Sequence, residues 1–186
     1  MTSLPPARRI VTGHDASGKA IIESDTTFSP IDPHATIAVT KTSDDGANPA
    51  AGGMKDKGGF ILLWRTDSFP AKVSGPWEDY HGKPLPLADK IGTTVRIVDM
   101  PPGLSSPMHR TESLDFGVVL TGEVVLELDD GAETTVRQGQ TVVQRATIHA
   151  WHNRTNEMAR VLFILLPSET ATINGKRLGK TNFSVN

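Results

Sequence analysis

The sequence predicts an all-β protein built around an antiparallel β-barrel, with an N-terminal extension that also contains strands. Short β-branched runs recur at roughly 8–12-residue spacing, and each ends at Gly, Asp, Asn or Pro. No segment shows the periodicity of an amphipathic helix. The chain has 186 residues, 37% of them hydrophobic, which suits one domain with a sizeable core.

The composition excludes several classes of function. Nineteen Lys and Arg face 21 Asp and Glu, a net charge of −2, so no basic field exists to bind nucleic acid. The absence of cysteine excludes disulfides, thiolate zinc sites, iron–sulfur clusters and cysteine nucleophiles. Any metal must therefore be held by imidazole and oxygen. We find neither a signal-peptide pattern nor a run of about 18 apolar residues, so we expect a cytoplasmic protein without a membrane segment.

Residues 1–93 are predicted to form the extension, which packs on the barrel. A turn at 15–18 separates two short β-branched runs and indicates a hairpin. Residues 29–59 are rich in Pro, Gly and Asp and predict a long loop, and 70–93 are a second irregular connection. Strands of the extension are expected at 10–12, 20–22, 36–40 and 60–65.

Residues 94–166 are predicted to form the barrel. Val124 and Leu126 alternate with acidic residues such as Glu123, and this pattern is typical of a half-buried strand. Segment 161–166 is apolar at both odd and even positions, which point to opposite faces of a strand, so both of its faces should be covered. Antiparallel strands without a covering helix favour a sheet that closes on itself. The barrel strands are expected at 94–100, 114–120, 123–129, 133–137, 141–144, 149–152 and 159–166, before a tail at 167–186.

Two segments of the barrel bring together groups that can do chemistry. His109, Thr111 and Asp115 share one parity, so they can point to the same side of an extended segment. If the strands pair across a small barrel, His149 can face His109 inside it. Two imidazoles and one carboxylate form the ligand set of a facial metal site, which suits Fe(II) and also accepts Mn, Ni or Zn.

The same segments resemble the two motifs of the cupin superfamily. The first motif is Gly, five residues, His, one residue, His, three or four residues, Glu, six residues and Gly. With every spacing kept, its positions hold Gly103, His109, Thr111, Asp115 and Gly122. The second motif contains Gly, Pro-x-Gly, His and Asn. Its positions hold Gly139, His149 and Asn153, with Arg145 in place of the Pro.

The resemblance implies a small cupin jelly roll that binds a small organic acid or another oxygenated metabolite. Known cupins of this kind include dioxygenases, decarboxylases and other lyases, and isomerases. The resemblance implies that His109, Asp115 and His149 hold a divalent transition metal. Without a metal, His109 or His149 would act as the general acid or base, with Asp115 orienting it. The metal-dependent and the metal-free mechanisms both stay open, because Thr111 and Asp115 stand where metal-binding members have His and Glu. A third version is a non-catalytic sensor or storage module.

Other residues extend the predicted site. Thr111, Arg96, Trp151 and Phe163 are expected to line the substrate pocket. Arg96 and Arg145 are the two cations that can bind a substrate carboxylate, although a place at the surface or rim is an alternative for both. Glu112 is an alternative to Asp115 if a bulge shifts the register, and His152 should point outwards. His14, His34 and His81 lie in turn-like contexts and are expected to have local roles. The resemblance also implies a homodimer that exchanges an N-terminal strand.

Overall fold

The computed structural model describes residues 4–32 and 58–181. Its strands follow the predicted order, and the one helical segment among the described residues is a short 3-10 turn at Asp129–Gly131. The prediction of a strand at 36–40 and the position of His34 lie outside the described residues. Within the described ranges, no helix has the length and apolar character needed to span a membrane. The strands are β1 Ala7–His14, β2 Ala20–Phe28, β3 Gly59–Arg65, β4 Thr94–Met100, β5 Ser113–Thr121, β6 Glu123–Glu127, β7 Glu133–Arg137, β8 Thr141–Arg145, β9 Ala150–His152, β10 Ala159–Pro167, β11 Thr172–Ile173 and β12 Lys176–Arg177.

Two antiparallel sheets form the barrel. The larger sheet has the order β3-β4-β10-β5-β8 and the smaller one β7-β6-β9. One apolar cluster joins them, with Val119 and Val161 from the larger sheet and Val124 and Leu126 from the smaller. The sheets do not close into one continuous ladder, unlike the single closed sheet that the strand pattern favoured. The result is a jelly roll, which confirms the predicted all-β fold class.

The strand register of the larger sheet places a layer of polar side chains on the interior face, next to this apolar core. In β5, Asp115 pairs with Gln144 of β8 and with Leu165 of β10. Two residues further along β5, Gly117 lies in register with Phe163 of β10, which in turn pairs with Arg96 of β4. Because alternate residues face the same side of a sheet, these two rows share the interior face, about 7 Å apart.

The outer face of the larger sheet is covered by the hairpin of β1 and β2. Ala7 and Phe28 of this hairpin pack on Ile61 and Ile97 in a second apolar cluster. Strand β3, which belongs to the predicted extension, pairs directly with β4 and so completes the edge of the larger sheet. Segment 161–166 is covered on both faces, as its apolar composition predicts.

A buried ion pair lies beneath this hairpin. Arg160 donates through Nε and Nη2 to the two carboxylate oxygens of Asp99, at 2.6 and 2.7 Å. Its Nη1 donates to the Pro5 carbonyl at 2.8 Å. Arg160 is only 7% exposed and Asp99 3%. The pair therefore fixes the start of the chain to the outer face of the barrel.

The Asp99→Ala variant should unfold much more readily than the wild type, because it leaves the Arg160 guanidinium buried without its carboxylate. Breaking a buried pair in this way typically costs about 3–5 kcal/mol. Urea unfolding followed by circular dichroism measures the free energy of unfolding. The matched control is Asp25→Ala, which breaks the exposed Arg8–Asp25 pair and should change stability little. Equal stability of the two variants would contradict the prediction.

Candidate functional site

The two motif histidines meet inside the barrel mouth. His109 and His149 form an isolated antiparallel bridge, and each main-chain N–H donates to the other residue's carbonyl, at 2.8 and 2.9 Å. Their rings lie 4.3 Å apart between centroids, tilted by 58°. His109 Nδ1 donates to the Pro107 carbonyl at 2.8 Å, and His149 Nδ1 donates to the Thr147 carbonyl at 2.9 Å. Since a carbonyl can only accept, both Nδ1 atoms carry a proton.

Gln144 connects Asp115 to His149. Its side-chain Nε2 donates to Asp115 Oδ2 at 2.9 Å and to His149 Nε2 at 3.1 Å. Thr111 Oγ1 donates to the same carboxylate oxygen at 3.3 Å, and Ser113 Oγ donates to Thr111 Oγ1 at 2.8 Å. All five side chains are buried. They form one connected polar network across the interior of the larger sheet.

Four polar atoms of the interior have no hydrogen-bond partner among the residues described. Two are acceptors, Asp115 Oδ1 and Gln144 Oε1, and two are donors, Arg96 Nη1 and Trp151 Nε1. Buried polar atoms are normally hydrogen-bonded, and each unsatisfied one costs about 1–3 kcal/mol. Three of these atoms belong to the interior face of the larger sheet and Trp151 Nε1 to the smaller sheet, and such atoms indicate places where a ligand or solvent supplies the partners.

Burial shifts the pKa values of the ionisable groups here. It raises the pKa of Asp115, whose hydrogen bonds act in the opposite direction. It lowers the pKa of His149 to about 3, with a further contribution from His109, and it lowers the pKa of His109 as well. Burial also lowers the pKa of Arg96 to about 10, against the attraction of Asp115. At neutral pH both imidazoles are therefore neutral and Arg96 remains a cation.

The aromatic residues predicted to line the pocket lie beside Arg96. Trp151 and Phe163 meet edge to face, with 5.5 Å between ring centroids. A Cβ at Gly117 would lie 3.0 Å from Phe163 Cε1, so the glycine leaves room for that ring. Arg145, the other cation considered for a substrate carboxylate, is exposed. Of the two arginines, only Arg96 lies on the interior face of the larger sheet, where its guanidinium also stacks over the Phe60 ring and lines a small cavity with Leu62.

Other predicted residues lie elsewhere. His152 contacts Ser105 Oγ through Nδ1 at 2.9 Å and Glu127 Oε2 through Nε2 at 2.7 Å, on the opposite face of β9 from Trp151. Glu112 accepts a hydrogen bond from the Thr170 hydroxyl at 2.7 Å. His14 is exposed at the end of β1, while His81 lies against the ring of Phe28 with 4.3 Å between centroids. The network described above includes none of these side chains.

The predicted metal ligands do not fit a divalent metal as they are arranged. Carbonyls fix the Nδ1 side of His109 and His149, as is common for metal-binding histidines. The NH₂ group of Gln144, however, points its hydrogens at the lone pairs of Asp115 and His149 that a metal would use. Across residues 4–32 and 58–181, no group of three or more His, Asp or Glu is placed to hold a metal ion. The metal site at His109, Asp115 and His149 stays a prediction.

Gln144 is a residue of this network that was not predicted from the sequence. Its place in the strand alternation could have identified it. It follows Val142 at the inward-facing positions of β8 and stands five residues before His149. The expected orienting role of Asp115 also differs from the structure, because a main-chain carbonyl orients the His149 ring. Motif spacing identifies residues that reach the chamber but not which atoms they contact.

Two facing antiparallel sheets around a buried polar chamber define a jelly-roll protein with one internal site. The chain belongs to the cupin superfamily. The family model described as "Cupin domain" matches residues 96–165. "Phomopsin biosynthesis cluster protein C'" of Diaporthe leptostromiformis is 35% identical, over 92% of this chain and 84% of that protein. "Cupin-domain-containing oxidoreductase fogC" of Aspergillus ruber is 32% identical, over 91% of this chain and 77% of that protein. A solved "Cupin 2 conserved barrel domain protein" from Salinispora arenicola has a TM-score of 0.41 and 17% identity, covering 67% of this chain and 88% of that one.

Nuclear magnetic resonance can test the protonation of the two imidazoles. Because burial lowers both pKa values, His109 and His149 should be neutral and protonated at Nδ1 at pH 7, and His149 should stay neutral to about pH 4. Nitrogen-15 shifts of the ring nitrogens, assigned with the His109→Gln and His149→Gln variants, report both the charge and the tautomer. A proton on Nε2 of His149 at neutral pH would contradict the bond that Gln144 donates.

Proposed function

We propose that this chain is a cupin enzyme that moves a proton to and from a small oxygenated metabolite inside the barrel. Asp115 is the proton acceptor. The observation that carries this proposal is the unequal use of its two carboxylate oxygens. Oδ2 accepts hydrogen bonds from Gln144 and Thr111, whereas the buried Oδ1 has no partner. A general base needs this arrangement, in which one oxygen is held and the other is directed at the substrate.

The proton transfer balances without a further reactant. Asp115 Oδ1 takes a proton from a C–H next to a substrate carbonyl, and the electron pair of that bond stays on the substrate as an enolate. The buried cation of Arg96 stabilises the negative charge. Once Asp115 has exchanged this proton with solvent, return of a proton to the same carbon gives hydrogen exchange, and return to another carbon conjugated with the enolate gives an isomerisation. Eliminations and many oxidations share the first of these steps.

The names of the relatives support an enzyme of small-molecule metabolism. Several are called cupin-domain-containing oxidoreductases, and others are called proteins of phomopsin or oryzines biosynthesis clusters. We therefore propose a biosynthetic intermediate as the metabolite. A non-catalytic sensor or storage module would use the same chamber and differs from the enzyme by showing binding without exchange.

Hydrogen exchange in deuterated water tests the proposal. We expect the wild type to exchange the C–H next to the carbonyl in at least one member of a panel of small ketones, keto acids and hydroxy ketones. Asp115→Asn should slow this exchange by about 100-fold or more, since general-base catalysis contributes that much. Proton resonance measures the loss of the C–H signal. The matched control is Asp130→Asn, which changes an exposed aspartate at a positive-φ turn position that asparagine tolerates.

Two results would contradict the proposal. No exchange by the wild type on any member of the panel would favour the sensor or storage module. Exchange that is lost with EDTA and restored by one of Fe, Mn, Ni or Zn would favour the predicted metal site at His109, Asp115 and His149. Elemental analysis of protein purified without added metal gives a second measurement of the same alternative, because a bound metal should reach one per chain.

We also propose that the chain forms the predicted homodimer. The hairpin of β1 and β2 exposes Ile10 and Ile22, at 49% and 65%, on its outer side, and a symmetric partner would cover them. Sedimentation velocity at micromolar concentration should show a species of twice the chain mass. Replacing both isoleucines by lysine should shift it to the monomer, and a wild-type monomer would contradict the proposal.

A further inference from the structure

We propose that the substrate is a small acid that also carries a hydroxyl group. The acid group binds Arg96 and Trp151, and the hydroxyl donates to Gln144 Oε1, beside Asp115. This inference rests on the proposed function, because it names the class of molecule that the same chamber takes.

The donor end of the chamber lacks an anion. Arg96 is 5% exposed and donates through Nη2 to the Pro86 carbonyl at 3.3 Å, while its Nη1 has no partner. Trp151 is 4% exposed, and its Nε1 has no partner either. Phe163 connects the two, since it pairs with Arg96 across the sheet and contacts the Trp151 ring. Two unpaired donors, one permanently charged, match a carboxylate.

Two other strongly buried arginines of the described chain each have a carboxylate partner, and Arg96 does not. Arg160 makes two bonds to Asp99, and Arg9 makes two bonds to Asp79. Arg96 is buried as deeply, yet among the described residues no carboxylate lies within 4 Å of its guanidinium. Leaving a buried charge unpaired is costly, so the counter-ion of Arg96 is expected from the ligand.

The acceptor end of the chamber lacks a donor. Asp115 Oδ1 and Gln144 Oε1 are both buried without a partner, and the two side chains are already joined through their other atoms at 2.9 Å. Both free atoms can only accept a hydrogen bond once the carboxylate is ionised. A hydroxyl group supplies one donor, to Gln144 Oε1, which leaves Asp115 Oδ1 for the substrate C–H and adds no charge beside the carboxylate.

The spacing of the two ends sets the size of the ligand. Asp115 and Gly117 are two residues apart on β5, and Gly117 lies in the row of Arg96, so the rows of the two ends are about 7 Å apart along the strands, while β10 separates β5 from β4 across the sheet. Between them lie the ring edges of Phe163 and Trp151, over a glycine without a side chain. The middle of the ligand should therefore be apolar and flat enough to lie against two aromatic rings.

Calorimetric titration with 4-hydroxybenzoate tests the inference, since this rigid molecule carries the two groups at opposite ends of a ring. Two probes each lack one group: 4-hydroxybenzamide lacks the charge and benzoate lacks the hydroxyl. We expect 4-hydroxybenzoate to bind at least about tenfold more tightly than either probe. Arg96→Met should remove the advantage over the amide, and the matched control Arg145→Met, at an exposed position of β8, should keep it.

Several outcomes would overturn the inference. They are equal binding of the acid and the amide to the wild type, no binding of the acid at about 10 mM, or unchanged binding of the acid to a folded Arg96→Met protein. The comparison of probes on the wild type does not depend on how the variant folds. If the acid binds as expected while no compound exchanges its proton, the proposed function is wrong and the inference stands. If neutral ketones exchange as fast as acids, the inference is wrong and the function stands.

Discussion

The strand register of the larger sheet is the constraint on which the chamber depends. Because β5 pairs with β8 so that Asp115 faces Gln144, the carboxylate and the amide share one face. The bridge between His109 and His149 then brings the two imidazoles to the same end of the barrel. A slip of one residue in either pairing would turn these polar side chains out of the chamber. The chemistry is therefore a property of the pairing rather than of any single loop.

A polar interior is possible here because apolar packing is provided elsewhere. The floor of the barrel is a cluster drawn from both sheets, including Val119, Val124 and Val161. The outer face of the larger sheet has a second cluster, which the N-terminal hairpin completes. Burial in these two layers offsets the free energy lost where polar atoms of the chamber lack partners. The hairpin thus contributes to the site, although it contributes no residue to it.

Much of the fold and part of the site could be predicted from the sequence. Motif spacing and strand alternation predicted that His109, Asp115 and His149 share one chamber, because alternate residues of a strand face the same side. Parity did not decide between Arg96 and Arg145, since both lie on barrel strands and only the observed register shows that one is buried. The contact partners were beyond prediction for a different reason. Whether Asp115 meets an imidazole or an amide depends on side-chain geometry within a few ångströms.

Gln144 shows how narrow the chemical difference between two kinds of cupin site can be. Its NH₂ group lies between a carboxylate and an imidazole and satisfies a lone pair on each. A glutamate has nearly the same shape, yet it would offer two oxygens in place of a donor. The same backbone would then present a cluster of acceptors with no proton among them, which is what a cation seeks. One side-chain nitrogen thus separates a chamber in which a donor occupies two lone pairs from one that would offer those lone pairs to a cation.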